Sequence, residues 1–294
     1  MSLGISVYNQ SPLDLIELAR AADSAGFDAL WLSEHIFSCD YSSIHPMTEN
    51  TQDTTHNEKN VIDPDVDLPD PWVTFGGIAA VTRRLKMATG IYLLPLRHPL
   101  ITARHMITLQ RLSGERFMLG VGSGWIEEEF DILGVPFDNR GARMNETIEI
   151  IRLAEAGKDF EYRGEIFDFP RVQLCAQPVS LPVIVGGNSP PALRRAARLG
   201  DGWFSSGIPY PEDALRLRDQ IMKLRDKEGD GKPFRTYFRI KDADPALVEQ
   251  YRKEGIEDVV IWSEQMWDMS LPLDRRHERF AGIAEALELQ ATSP

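Results

Sequence analysis

The sequence predicts a (β/α)8 barrel, the TIM-barrel class, and three observations carry the prediction. Six short apolar runs, at Ala29–Ser33, Lys86–Thr89, Phe117–Val121, Pro182–Val185, Gly202–Phe204 and Asp258–Trp262, are separated by helical patterns. Strands that read as unbroken apolar runs are buried on both faces, as in a parallel sheet covered by helices. Each run ends in glycine, a polar residue or an aromatic, which places function-type residues on one rim, where such barrels carry their chemistry. The 294 residues suit one such domain over 1–294, since the fold takes ~250 residues and tolerates insertions.

The elements follow in order. A first strand at Leu3–Tyr8 leads to a helix with Ser11 as N-cap, Pro12 in its first turn and Gly26 as its stop. The second strand is Ala29–Ser33. Residues 38–69 are polar and rich in Asp, Asn, Thr and Pro. They read as a long loop on the catalytic rim, of the kind that serves as a mobile lid. A helix over Pro71–Val81 precedes the third strand, Lys86–Ile91. Another over Ile101–Leu112 ends before Gly114. The fourth strand, Phe117–Gly122, is followed by a helix over Arg143–Ala156 and a small hairpin excursion at Phe160–Leu174. The remaining strands are Val183–Val185, Gly202–Ser205, Thr236–Ile240 and Val259–Trp262, the third of these having the weakest pattern. Their helices fall at Pro191–Leu199, Pro211–Glu228, Pro245–Lys253 and Asp274–Leu289.

Composition narrows the function. The net charge of −13, from 45 acids against 32 Lys and Arg, repels phosphate backbones and argues against a nucleic-acid partner. No run reaches the ~20 apolar residues of a membrane span, and MSLGISVYNQ carries no signal-peptide pattern. A cytoplasmic protein acting on a small molecule, without a membrane partner and with a homodimer as one assembly, is the expectation. Two cysteines far apart, Cys39 and Cys175, form no disulfide framework. The six histidines show no HExxH-type spacing, so no metal is expected.

On the rim, Glu34 and His35 end the second strand. An imidazole there suits proton transfer, or it is a loop histidine satisfied by its neighbours. Gly90-Ile91 reads either as a bulge where a ligand approaches the backbone or as a plain strand exit. Gly122, Ser123 and Gly124 leave backbone bare for a flat or anionic group. They are not a dinucleotide fingerprint, because the third glycine of G-x-G-x-x-G would fall at Trp125. The acids at 127–129 read as a helix-start preference. Gly186, Gly187, Asn188 and Ser189 open a helix and suit a phosphate, or form an ordinary glycine turn. Trp125 lies where a substrate pocket would be; Arg97 and His98, in the loop after the third strand, either reach a substrate or are solvated on the surface. Of Trp31, Trp125 and Trp203, one is expected to meet a ligand and the others to be core.

The segments GFDALWLSEH, ATGIYLLPLRHP, LQRLSGERFMLGVGSGWIEEEF with GVPFDNRGAR, and LPVIVGGN with RLGDGWFSSG resemble the bacterial luciferase-like superfamily. Within it they resemble the branch of oxidoreductases that use the deazaflavin coenzyme F-420. The resemblance covers nearly the whole chain. It implies a TIM barrel with the cofactor at the carboxyl rim, and His35 near the reactive ring. It further implies a bulge at Gly90-Ile91, often with a non-prolyl cis peptide, behind that ring. The backbone at Gly122 to Gly124 becomes a cofactor contact, and Gly186 to Ser189 the phosphate turn. In the sugar-phosphate dehydrogenase branch a Glu proton donor follows the fourth-strand glycines. Trp125 stands there in this chain, which also lacks an obvious Lys cluster, so a more apolar substrate is implied. The function this implies is hydride transfer between F-420 and a small organic substrate. Two alternatives are an FMN-dependent monooxygenase using reduced flavin and oxygen, and a flavin-binding protein without turnover.

Overall fold

In the computed structural model, residues 2–39, 64–174, 177–240 and 242–290 are described. Eight parallel strands close on themselves: β1 (Ser2–Val7), β2 (Ala29–Leu32), β3 (Lys86–Thr89), β5 (Phe117–Gly122), β8 (Val183–Gly186), β9 (Gly202–Phe204), β10 (Arg235–Ile240) and β11 (Asp258–Trp262). The order around the barrel is β3-β2-β1-β11-β10-β9-β8-β5, and a β3–β5 pairing closes it. A two-residue strand, β4 (Tyr92–Leu93), continues the line of β3 and pairs with β5 at Val121 and Gly122. The expected excursion is an antiparallel pair, β6 (Phe160–Arg163) and β7 (Asp168–Val172).

The helices are α1 (Pro12–Ala25), α2 (Pro71–Val81), α3 (Pro99–Ser113), α4 (Glu127–Ile132), α5 (Arg140–Glu155), α6 (Pro190–Leu199), α7 (Pro211–Glu228), α8 (Pro245–Lys253) and α9 (Leu273–Ala286). Ser11 caps α1 by accepting the N–H of Asp14, and Gly26 and Gly114 end α1 and α3 in the left-handed conformation.

Two expectations need correction, the extent of the third strand and the start of the helix after the fourth. The third strand is not continuous to Ile91: it breaks at Gly90-Ile91, which is a cis peptide bond. The acids at 127–129 do start a helix, as expected, the short α4, and the following helix α5 starts at Arg140 rather than Arg143. The long loop falls mainly on residues 40–63, outside the described residues; of its end, Val66 and Leu68 pack against Ile126 and Trp125. No helix among the described residues is long and apolar enough to cross a membrane.

Two layers of core follow from the alternation of strand side chains. Outward-facing residues pack under the helices. Inward-facing ones, including Trp31, Met118, Phe204, Tyr237 and Val260, form a separate cluster inside the barrel. Trp31 lies at its centre, 4.8 Å from the ring centroids of both Phe204 and Tyr237. A buried Trp supplies a large apolar area and fixed ring contacts, so it fills the barrel and sets a solid floor below the rim.

The opposite, amino end is held by polar ties. Arg116 donates to Leu85 O at 2.7 Å, to Ser113 O at 2.7 Å and to Thr82 Oγ1 at 2.8 Å. Asp23 accepts the N–H groups of Arg83, Arg84 and Leu85. Burial raises the Asp23 carboxyl, but those backbone bonds outweigh it and leave the group below its ordinary value. This end is built for stability, which leaves the carboxyl rim for chemistry.

Candidate functional site

A cavity of about 260 Å³ opens at the carboxyl rim, and every one of the eight barrel strands contributes to its wall, from Tyr8 after β1 round to Trp262 on β11. Of the expected site residues, Glu34, His35, Gly90, Ile91, Gly122, Ser123, Gly124, Trp125, Gly186, Gly187 and Ser189 line it.

His35 follows β2 and exposes only 12% of its side chain. Its Nδ1 lies 3.2 Å from Glu129 Oε2 and 3.3 Å from Oε1. Glu129, on the first turn of α4, is fully buried, and its Oε1 also accepts the Ile36 N–H at 2.8 Å. A carboxylate only accepts, so Nδ1 is the donating nitrogen and Nε2 is the one left for a ligand. The indole of Trp125 stands edge-on, 6.3 Å from the imidazole. Glu129 was not singled out in the sequence; the three consecutive acids there give no sign of which one is buried.

Glu34 is placed differently from His35. Its Oε1 is 2.6 Å from Arg97 Nη2, and its Oε2 accepts from Arg97 Nη1 at 3.0 Å and from the Leu93 N–H at 2.8 Å. Burial pushes its carboxyl up, while Arg97 and the Leu93 N–H pull it back. With both oxygens committed, Glu34 anchors the chain after the break in the third strand rather than serving as an acid or base. Arg97 is drawn away from the cavity to this carboxylate and lies 4.4 Å over the Tyr92 ring. Burial first, then the Glu34 charge, pushes the Tyr92 hydroxyl up to about 12. His98 is also outside the cavity lining. It is the N-cap of α3, where its Nδ1 accepts the Leu100 N–H at 3.3 Å. Arg97 and His98, both expected as substrate contacts, are thus placed outside the cavity lining.

The glycines have a reason beyond a ligand. The Ile91 side chain lodges between β5 and β8: a Cβ at Gly122 would lie 2.3 Å from Ile91 Cδ1, and one at Gly186 2.7 Å from Ile91 Cγ2. The bare backbone there first accommodates Ile91, which then forms the apolar face of the cavity. At the turn after β8, Gly187 has φ of 111° and accepts the Trp203 Nε1 donor at 2.7 Å. Asn188 turns its amide to Ser206, donating to O at 3.0 Å and accepting N–H at 2.9 Å, and does not line the cavity. Pro190 and Pro191 open α6, so two donors usual at a helix N-terminus are missing.

Arg239 was also missed in the sequence. It is 8% exposed, lines the cavity from β10, and its Nη2 lies 3.3 Å from Gly90 O. The signal was present: Arg235, Tyr237 and Arg239 alternate along one strand, a period-two pattern that faces one side. Of the three tryptophans considered, Trp125 lines the cavity, while Trp31 and Trp203 are fully buried. Among the described residues, no group of three or more His, Cys, Asp and Glu is placed to hold a metal ion.

Comparison with known proteins gives this arrangement a relationship. The sequence profile of luciferase-like monooxygenases matches residues 3–242. An uncharacterised protein of Mycobacterium tuberculosis is 32% identical over 249 residues, covering 84% of this chain and 83% of that protein. The F-420-dependent glucose-6-phosphate dehydrogenase of Nakamurella multipartita is 25% identical over 289 residues, covering 95% of this chain and 74% of that enzyme. Among solved structures, an F-420-dependent secondary alcohol dehydrogenase in complex with an F-420–acetone adduct superposes with a TM-score of 0.74. Its identity is 16%, with 97% of this chain and 98% of that one covered. A profile match over most of the chain, on a closed barrel with an His35–Glu129 pair at its carboxyl rim, places the protein in the luciferase-like monooxygenase family, as an oxidoreductase.

Proposed function

We propose that this protein transfers hydride between coenzyme F-420 and a small organic substrate at the carboxyl rim. The observation that carries the reading is the buried Glu129 carboxylate bonded to His35 Nδ1, which leaves Nε2 as a proton acceptor on the cavity wall. Likeness to enzymes named for F-420 supports the choice of cofactor.

The residues present fit a flat ring with polar edges. Ile91 gives an apolar face, Gly122, Gly124, Gly186 and Gly187 add no side chains of their own to the wall, and Arg239 brings a guanidinium to it. When bound, the deazaflavin supplies the hydride chemistry. His35 would hold or accept a proton at Nε2, with Glu129 keeping the ring oriented and stabilising its charged form. Trp125 would wall the substrate side. Ser189 and Gly187, on the turn before α6, would hold the cofactor phosphate, with Asn188 fixing that turn through Ser206.

Fluorescence titration tests the cofactor directly. F-420 is expected to bind and FMN to bind more weakly; FMN binding without F-420 binding overturns the reading in favour of the monooxygenase that the family description suggests. Gly187→Asp would put a carboxylate beside the proposed phosphate and weaken F-420 binding by at least ~10-fold through like-charge repulsion. Unchanged affinity in a folded variant moves the phosphate elsewhere. A homodimer belongs to the same proposal, and sedimentation at twice the 33.2 kDa chain mass would support it.

A further inference from the structure

In a chain with 45 acids against 32 Lys and Arg, half-buried arginines that meet no carboxylate need a reason. Two of them stand side by side between α5 and α6. Arg140, on the first turn of α5, donates from Nε to Gly124 O at 3.2 Å and from Nη1 to Phe137 O at 3.1 Å. Arg195, in the middle of α6, donates from Nε to Asn145 Oδ1 at 2.6 Å and from Nη2 to Gly141 O at 3.1 Å. All four acceptors are neutral, and neither arginine joins an ion pair among the described residues. The helices supply no counter-charge at this point: α6 carries three arginines and no acid, and the first turn of α5 has no acid. Glu146, a turn further along α5, attracts Arg143 and accepts the N–H groups of Glu165 and Phe167.

The two guanidinium groups act on each other. Burial first, and then the charge of Arg140, hold Arg195 below its ordinary value. Like charges brought together in a half-buried place are relieved by an anion from outside. Both side chains keep partial exposure, so such an anion can reach them. The pair also adjoins the rim cavity. Gly124, which accepts from Arg140, lines it, and so does Ala192, which precedes Arg195 by one helical turn. The turn that opens α6 lacks two N–H donors because of Pro190 and Pro191, so an anion there is poorly neutralised by the helix alone. A guanidinium matches the paired oxygens of a phosphate or carboxylate.

We propose that Arg140 and Arg195 form an outer oxyanion subsite at the β5–β8 edge of the cavity, for a phosphate or carboxylate group. This rests on the reading that F-420 occupies the rim, and it gives the anionic end of that cofactor a cation pair beyond the glycine turn. A separately bound oxyanion would use the same donors, and competition tells the two sources apart.

The test uses the full chain and three probes: F-420, its fragment with the ring and ribityl chain but no phosphate, and pyrophosphate. Arg195→Met removes the charge and keeps an apolar stem. It should weaken F-420 binding by about tenfold in fluorescence titration, the scale of a hydrogen bond to a charged group, and leave the fragment unchanged. Arg140→Met should do the same. In the wild type, added salt should weaken F-420 binding and spare the fragment. Pyrophosphate should raise the Tm of the wild type and have little effect on either variant. Competition between pyrophosphate and F-420 assigns the subsite to the cofactor; its absence, with pyrophosphate still lost in the variants, assigns it to a separate oxyanion. Equal weakening of F-420 and the fragment makes the arginines structural and overturns the proposal. So do variants that bind F-420 and pyrophosphate as the wild type does, or F-420 binding that ignores salt together with no pyrophosphate effect. A wild type that fails to bind F-420 sinks the hydride reading alone, and the pyrophosphate melts then decide the subsite.

Discussion

His35→Ala is expected to lower turnover by ~10²-fold or more while the barrel stays folded, because a general acid–base group contributes on that scale. The substitution removes a ring held at the cavity wall and leaves the inner core around Trp31 untouched. F-420 affinity should therefore change little, and the loss should fall on kcat. Glu129→Gln gives a finer reading. The Ile36 N–H can still bond the amide oxygen, but the negative charge that stabilises a protonated imidazole is gone. Turnover should fall by about tenfold to a hundredfold. Circular dichroism checks the fold, and steady-state rates check the rest. Normal turnover in His35→Ala would make the residue a packing partner of Trp125 and remove it from the chemistry.

Arg97→Ala should carry the largest stability effect. Glu34 exposes 3% of its side chain, and the guanidinium of Arg97 faces both of its oxygens. Removing one partner of a buried pair strands the other charge, which costs ~3–5 kcal/mol. Arg97 itself is a quarter exposed, so water can enter in its place and a value of about 3 kcal/mol is expected. For a chain of this size that lowers Tm by roughly 5 °C. The pH dependence has a definite sign. Burial already raises the Glu34 carboxyl above its ordinary value, and without Arg97 the rise is larger. A carboxyl raised in the folded state favours the native fold while protonated, and that advantage is lost as pH rises through its folded value. The deficit of the variant should thus be smallest near the ordinary carboxylate range, ~4.3, and grow toward neutrality. Thermal melts at several pH values decide it. A pH-independent deficit, or none, would show that the pair does not anchor the chain after the break.

Much of this was legible in the residues, and the failures have physical causes. The parallel barrel could be read because a strand buried on both faces needs an unbroken apolar run, and most strands have one. Ser11, Gly26 and Gly114 declared helix ends because caps are local chemistry. The break at Gly90-Ile91 was announced by the glycine at the strand end and by the resemblance, which implied a bulge with a cis peptide there, as found. Glu129 is buried by its bond to a histidine 94 positions away, and a six-residue helix is too short to show a period. β10 read weakly because its inward positions carry Arg235, Tyr237 and Arg239 in place of aliphatics. His98 was taken for a pocket residue although Pro99 after it marks a helix start, which makes position 98 a cap.

The rim of this barrel is made of two materials. Across β3, β5 and β8 the wall is main chain and glycine, closed around Ile91, and a methyl group added at Gly122 or Gly186 collides with it. Across β9, β10 and β11 the wall is made of side chains, Ser205, Arg239 and Trp262. Inheritance acts differently on the two. In the glycine sector a new side chain at Gly122 or Gly186 has to displace Ile91, so a change there reshapes the apolar face of the cavity. The side-chain sector can be rewritten one position at a time, with the barrel below it supported by Trp31. Diversification within such a lineage should therefore run through three strands and spare the other three, and libraries aimed at positions 205, 239 and 262 would explore new chemistry on an unchanged frame.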